Sequence, residues 1–209
     1  NLDSINFGNY EGRLKIGGIK LILDGSPQGK TAYLTEPYYK PPHSESESYK
    51  GYPLIPQSEV SKWVKQYAEL EIPIMAHANG DAAADMLIKA VKDAKILHDH
   101  RTIMIHAQTV REDQLDQMQE LKIIPSYFST HTFYWGDWHR DSVFGKDRAM
   151  RISPTKSTLN RKMPFTVHND APVVPPDMIR LLWSTTNRET RSGKVLGEEQ
   201  KISTYDALA

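Results

Sequence analysis

Residues 72–106 read IPIMAHANGDAAADMLIKAVKDAKILHDHRTIMIH. Ile72 to His77 is a short apolar run. Ala82 to Leu97 carries Met86, Leu87, Ala90, Val91 and Ala94 at helical spacing. Thr102 to His106 is a second apolar run. The hydrophobic pattern thus reads strand, helix, strand. That order predicts two parallel strands joined by a helical crossover.

The same rhythm extends to both sides. Gly18 to Leu23 (GIKLIL) reads as a buried strand. Gln57 to Glu71 reads as a helix with Val60, Trp63, Val64 and Tyr67 on one face. Downstream, Arg111 to Leu121 is a helix with Leu115 and Met118 inward, and Ile123 to Phe128 is a strand. Pro164 to Asp170 is the last strand and Asp177 to Asn187 its helix. Five strands alternating with helices predict an α/β fold. They fit more than half of a (β/α)₈ TIM-type barrel, about five βα units. An open doubly wound sheet fits the rhythm equally well, although no GxGxxG phosphate fingerprint is present.

Two segments break the rhythm. Residues 24–56 are rich in Pro, Tyr and Ser, and residues 129–156 carry Phe133, Tyr134, Trp135 and Trp138. Both are expected as long loops within a single domain, 1–209. Long loops after strands are where barrel enzymes build substrate pockets. Clustered aromatics are costly to leave in water, which favours the second segment for that role. The Ser/Glu-rich run Ser44 to Ser48 reads as a solvated tip.

Composition narrows the chemistry. Lys+Arg and Asp+Glu are both 26, so no charged field suggests nucleic acid. No apolar run is long enough for a transmembrane helix, and Asn1 to Tyr10 lack the apolar core of a signal peptide. Cytoplasm and periplasm both stay open. Cysteine is absent, so a metal would be held by His, Asp, Glu or a modified Lys, favouring Zn, Mn or Fe. The chain starts at Asn1 and stops at Ser203 to Ala209, which reads as a cap and a helix barely begun. It is therefore expected to be a piece of a longer protein. Oligomeric state is not readable.

Metal-competent side chains collect at strand ends: His77, His106 and Asp170, one or two βα units apart. In a barrel that end is the active face. A lone His at such a place is commonly a hydrogen-bonded core residue, but three together point to a metal. His98-Asp99-His100 is a decoy. It precedes its strand, and the strand spans about 20 Å, so it cannot join His106 at one ion. It reads as a helix C-terminal feature. Lys20 stands in an apolar strand, where an unpaired ammonium is expensive. A salt bridge to Asp24, carboxylation to a metal-bridging carbamate, or snorkelling to the surface would each resolve it.

These residues resemble the amidohydrolase superfamily, in its YtcJ-like branch, which includes N-substituted formamide deformylases. The resemblance rests on Gly18 to Ser26 with Gly29, Thr31 and Ala32; on His77-Ala78-Asn79-Gly80-Asp81-Ala82-Ala83; on Ile105-His106-Ala107-Gln108; and on Asp170-Ala171-Pro172-Val173. It implies the C-terminal part of a (β/α)₈ barrel, roughly strands four to eight. The His-x-His of the first strand would lie upstream. It also implies one or two divalent ions, Zn foremost. Lys20 would be the carboxylated bridging ligand, His77 and His106 further ligands, and Asp170 both ligand and general base. The substrate would be a small amide or formamide, cleaved at a carbon–nitrogen bond. Asp24, His131, Trp135 and His168 would line its pocket. An isolated piece would bind metal weakly and keep Lys20 as an amine. One departure stands out. The family usually has Gly-Ser before the Asp, where this chain has His168-Asn169, and strand alternation would put His168 on the face of Asp170. A non-catalytic small-molecule-binding barrel and an open α/β binding domain are the alternatives.

Overall fold

The structure is a computed structural model that describes residues 5–96 and 98–208. A short hairpin, β1 (Tyr10–Glu11) and β2 (Leu14–Lys15), precedes the main sheet. That sheet has five parallel strands in sequence order: β3 (Ile19–Ile22), β4 (Ile74–Ala78), β5 (Ile103–His106), β6 (Ile124–Tyr127) and β7 (Thr166–Val167). Helices α1 (Gln57–Glu69), α2 (Asp81–Ala94) and α3 (Glu112–Glu120) follow the first three of these strands. After β6 come α4 (His131–Trp138), a π-helical turn (His139–Val143), α5 (Gly145–Met150) and α6 (Thr155–Asn160). Helix α7 (Met178–Asn187) follows β7, and α8 (Thr204–Leu208) ends the described chain. This is an α/β architecture of five parallel strands in sequence order with helices between them, the arrangement expected of part of a TIM-type barrel.

Alternation along the strands divides the sheet into two faces. In β4, Ile74, Ala76 and Ala78 are buried while Met75 and His77 are only partly covered. The buried set joins Leu21, Met104 and Tyr127 in a core with Val60, Val64, Leu87, Val91, Leu115 and Met118 of the helices. Hydrophobic burial of this helix-side face holds the sheet together. The other face carries Lys20 and Ile22, both exposed, and presents the strand ends.

The segment 129–156 is mainly helical rather than a loop. Its helices are buried on several sides, among them His131, Thr132, Gly136 and His139, so no single apolar stripe marks them. Residues 23–56 contain neither helix nor strand. The two segments pack on one another. Leu34 and Tyr38 join Val143, Phe144, Ala149 and Ile152 in a second core, and Tyr39 N and Lys40 N donate to the carbonyls of Val143 and Ser142.

Boundaries shift by a few residues elsewhere. Helix α2 ends at Ala94 with Lys95 in the left-handed region; the expected end, Leu97, lies outside the described residues. So do Asn1 to Ser4 and Ala209. Among the described residues no helix is long and apolar enough to cross a membrane.

Candidate metal centre

Two backbone turns assemble the site. Alternation along β5 would put His106 beside Met104, under the helices. Instead His106 and Ala107 adopt φ of 75° and 44°, and the His106 ring swings to the other face. It lies 4.5 Å from the His77 ring and 5.1 Å from the His168 ring, centre to centre. A positive φ is uncommon for a side chain of this size and is held by its surroundings. Asp170 does the same with φ of 54°. The expected strand 164–170 is only Thr166–Val167, so this turn, not alternation, aims the carboxylate at His168.

The result is a compact donor group. His106, His168 and Asp170 each offer one ligand atom, and these atoms all lie within 4.8 Å of one another. His168 Nε2 is 3.3 Å from His106 Nδ1. Its other nitrogen, Nδ1, is 2.9 Å from Ser126 Oγ, which in turn accepts from Thr166 Oγ1. Burial, reinforced by neighbouring His77, His168 and Lys20, pushes the His106 imidazole down to about 2. Burial lowers His168 to about 4, with Asp170 pulling the other way. Both rings are therefore neutral at pH 7, the form that coordinates metal. Two imidazole nitrogens and a carboxylate suit Zn or a similar divalent ion, so the residues present fit such a group.

His77 and Lys20 sit on the same sheet face but differ in state from the sequence-based expectation. His77 stays outside the 4.8 Å group. Its Nε2 is 3.2 Å from Asn79 Nδ2, and its Nδ1 is 3.1 Å from Asp24 Oδ1, without the alignment of a hydrogen bond. Lys20 is exposed rather than buried. It makes no bridge to Asp24, because Asp24 is fully buried and its oxygens accept the amides of Tyr33, Asn79 and Gly80 at 2.8–3.0 Å. For the same reason Asp24 is no pocket wall. It pins the turns after β3 and β4 from behind.

The aromatic side of the site is built by β6 and α4. Phe128 follows Ser126 on the same face and stacks on His168 at 5.5 Å. It meets His131 edge-on at 4.6 Å, and Trp135 lies 4.7 Å from His131. His131 is buried, and its Nδ1 is 2.9 Å from His139 Nε2. His139 Nδ1 is buried without a partner. An orphaned buried N–H is rarer than an orphaned acceptor, so the shared proton belongs on His139 Nε2. His131 then carries its own proton on Nε2 and is a fixed donor. Ser126, Phe128 and His139 were not singled out from sequence. The first two were findable by strand alternation from Tyr127, a core residue. His139 was not, because a π-helical turn breaks the helical period there.

The decoy histidines stay apart from this centre. His100 donates Nε2–H to the Leu121 carbonyl at 2.8 Å and meets Thr102 Oγ1 at 2.7 Å. It ties the start of β5 to the end of α3 rather than capping α2, which stops at Ala94. Another cleft, of about 200 Å³, opens beside Asp81, Thr109 and Arg111. Its arginines are already engaged: Arg111 with Asp81, Asp85 and Asp113, Arg151 with Glu112, and Arg148 with Glu36 and the carbonyls of Phe144 and Pro37. The chemistry therefore collects at the histidine cluster. Asp81 also holds Thr35 N at 2.9 Å, so it serves the start of α2 and its neighbouring loop.

The sequence profile of the amidohydrolase family matches residues 3–209. YtcJ of Bacillus subtilis is 23% identical over 201 residues, covering 93% of this chain and 36% of that protein. An N-substituted formamide deformylase of Arthrobacter pascens is 21% identical over 197 residues, covering 93% and 35%. The crystal structure of an uncharacterized metal-dependent hydrolase from Pyrococcus horikoshii superposes with a TM-score of 0.82 at 28% identity. That match covers 99% of this chain and 41% of the other. The chain thus spans between a third and a half of the length of these relatives.

Proposed function

This chain belongs to the amidohydrolase family, and on that premise we propose that it forms part of a metal-dependent hydrolase acting on carbon–nitrogen bonds of small amides or formamides. One observation carries the reading. The donor atoms of His106, His168 and Asp170 converge at the C-terminal ends of parallel strands, where barrel enzymes do their chemistry. Residues 1–209 act as one domain. His77, His106, Asp170 and a carboxylated Lys20 would hold one or two ions, zinc foremost. Lys20 is exposed, so carbon dioxide can reach its amine.

A divalent ion bound there supplies Lewis acidity and lowers the pKa of water toward about 7. The protein groups supply the rest. The Asp170 carboxylate accepts the proton of the attacking water and later delivers it to the leaving nitrogen. His131, a fixed donor, presents its Nε2–H toward the substrate oxygen. Trp135 and Phe128 wall the acyl side and exclude water.

The name of the Arthrobacter relative makes N-substituted formamides the first substrates to assay. The full-length metal-loaded protein, rather than this part of it alone, is predicted to release amine from them. Asp170→Ala is predicted to lose on the order of 10²-fold or more in kcat with its circular dichroism unchanged. An Asp170→Ala protein as active as the parent would overturn the proposal, and so would a metal-loaded parent that binds formamides without turning them over.

A further inference from the structure

We infer that His168 is itself a metal ligand, completing with His106 and Asp170 a three-donor centre. This goes beyond a role for His168 in the substrate pocket, and it rests on reading the strand ends as a metal site.

The distance is the first argument. His168 Nε2 and His106 Nδ1 are 3.3 Å apart. That is long for a hydrogen bond. It matches the edge of a tetrahedral zinc site, where two nitrogens each about 2.0–2.1 Å from the ion sit about 3.3 Å apart.

The back of the ring is the second. A ligating histidine characteristically donates its remaining N–H to a fixed acceptor, which sets tautomer and orientation. His168 Nδ1 meets Ser126 Oγ at 2.9 Å, and Ser126 is held in turn by Thr166 Oγ1 at 2.8 Å. With Nδ1–H given to Ser126, Nε2 presents a lone pair toward His106 and Asp170. Phe128 stacks on the ring at 5.5 Å and limits its rotation.

The third is the chemistry of the set. Two imidazoles and one carboxylate, with a position left open, is a donor arrangement found in catalytic rather than structural zinc sites.

The test is cobalt(II) titration of the protein, read by visible absorption and by X-ray absorption counting of imidazole ligands. The parent is predicted to bind Co(II) with at least two imidazoles in the shell, those of His106 and His168. His168→Ala should remove one imidazole from that count and weaken binding 100-fold or more. Ser126→Ala leaves every ligand in place and should weaken binding roughly 10-fold, which guards against a His168→Ala protein that merely misfolds. If His168→Ala keeps the parent's affinity and imidazole count, the inference fails while the metal centre stands. If the parent takes up no Co(II), the metal reading fails with it.

Discussion

Asp24 organises a site it never enters. Its carboxylate is fully buried and accepts three backbone amides, from Tyr33, Asn79 and Gly80. Hydrogen bonds to a charged group contribute about 1.5–3 kcal/mol each, and buried donors left unpaired are costly. Asp24→Ala is therefore predicted to cost about 3 kcal/mol or more, read as a lower urea midpoint with an unchanged slope. A loss under about 1 kcal/mol would contradict the role assigned to it. At this scale the sequence was only partly legible. His77, His106 and Asp170 announce themselves by position at strand ends. The split between Asp24 as anchor and His168 as contact does not, because it depends on which oxygens and nitrogens the backbone has already engaged. Nor does the inward turn of His106, which breaks strand alternation.

Elements show the opposite balance. The βα units between Ile72 and Asn187 were readable because each buries one face against a common core, which imposes a period on the sequence. The 129–156 segment was not, since its helices are covered on several sides and bury polar side chains. Two contacts between elements yield predictions. A Cβ at Gly80 would clash with the Tyr33 carbonyl oxygen. Gly80 has an ordinary φ of −79°, so the clash alone is at issue. Gly80→Ala is predicted to cost about 1–3 kcal/mol, and a thermal unfolding midpoint equal to the parent's would refute this. Arg188, in the left-handed position that ends α7, is buried and donates to the carbonyls of Ile152, Ser153 and Leu196 at 2.7–3.1 Å. Burial lowers its guanidinium to about 10, with Glu199 opposing. Arg188→Met fills similar space but takes the guanidinium donors from three buried carbonyls, of which only that of Ser153 keeps another partner, the Thr155 amide. It should cost about 3 kcal/mol or more in urea unfolding; a neutral substitution would show that the loop after α7 closes without it.

For the molecule as a whole, buried neutral imidazoles tie stability to pH. Burial holds His139 at about 3, far below the ordinary 6.5, and lowers His131 in the same direction. The folded state thus resists a proton that the unfolded chain accepts. The His139 contribution is complete above pH 6.5 and is lost as pH falls toward 3, at up to about 1.4 kcal/mol per unit, and His131 acts in the same direction. His139→Gln should flatten the dependence of unfolding free energy on pH between 6.5 and 4; an unchanged slope would contradict it. The metal centre is the claim on which the functional account turns, and it is tested most directly by anomalous diffraction at the zinc edge from crystals grown with zinc. The account predicts a peak within coordination distance of His106 and Asp170. A map with no peak there, or with zinc only at His98 and His100, would contradict it.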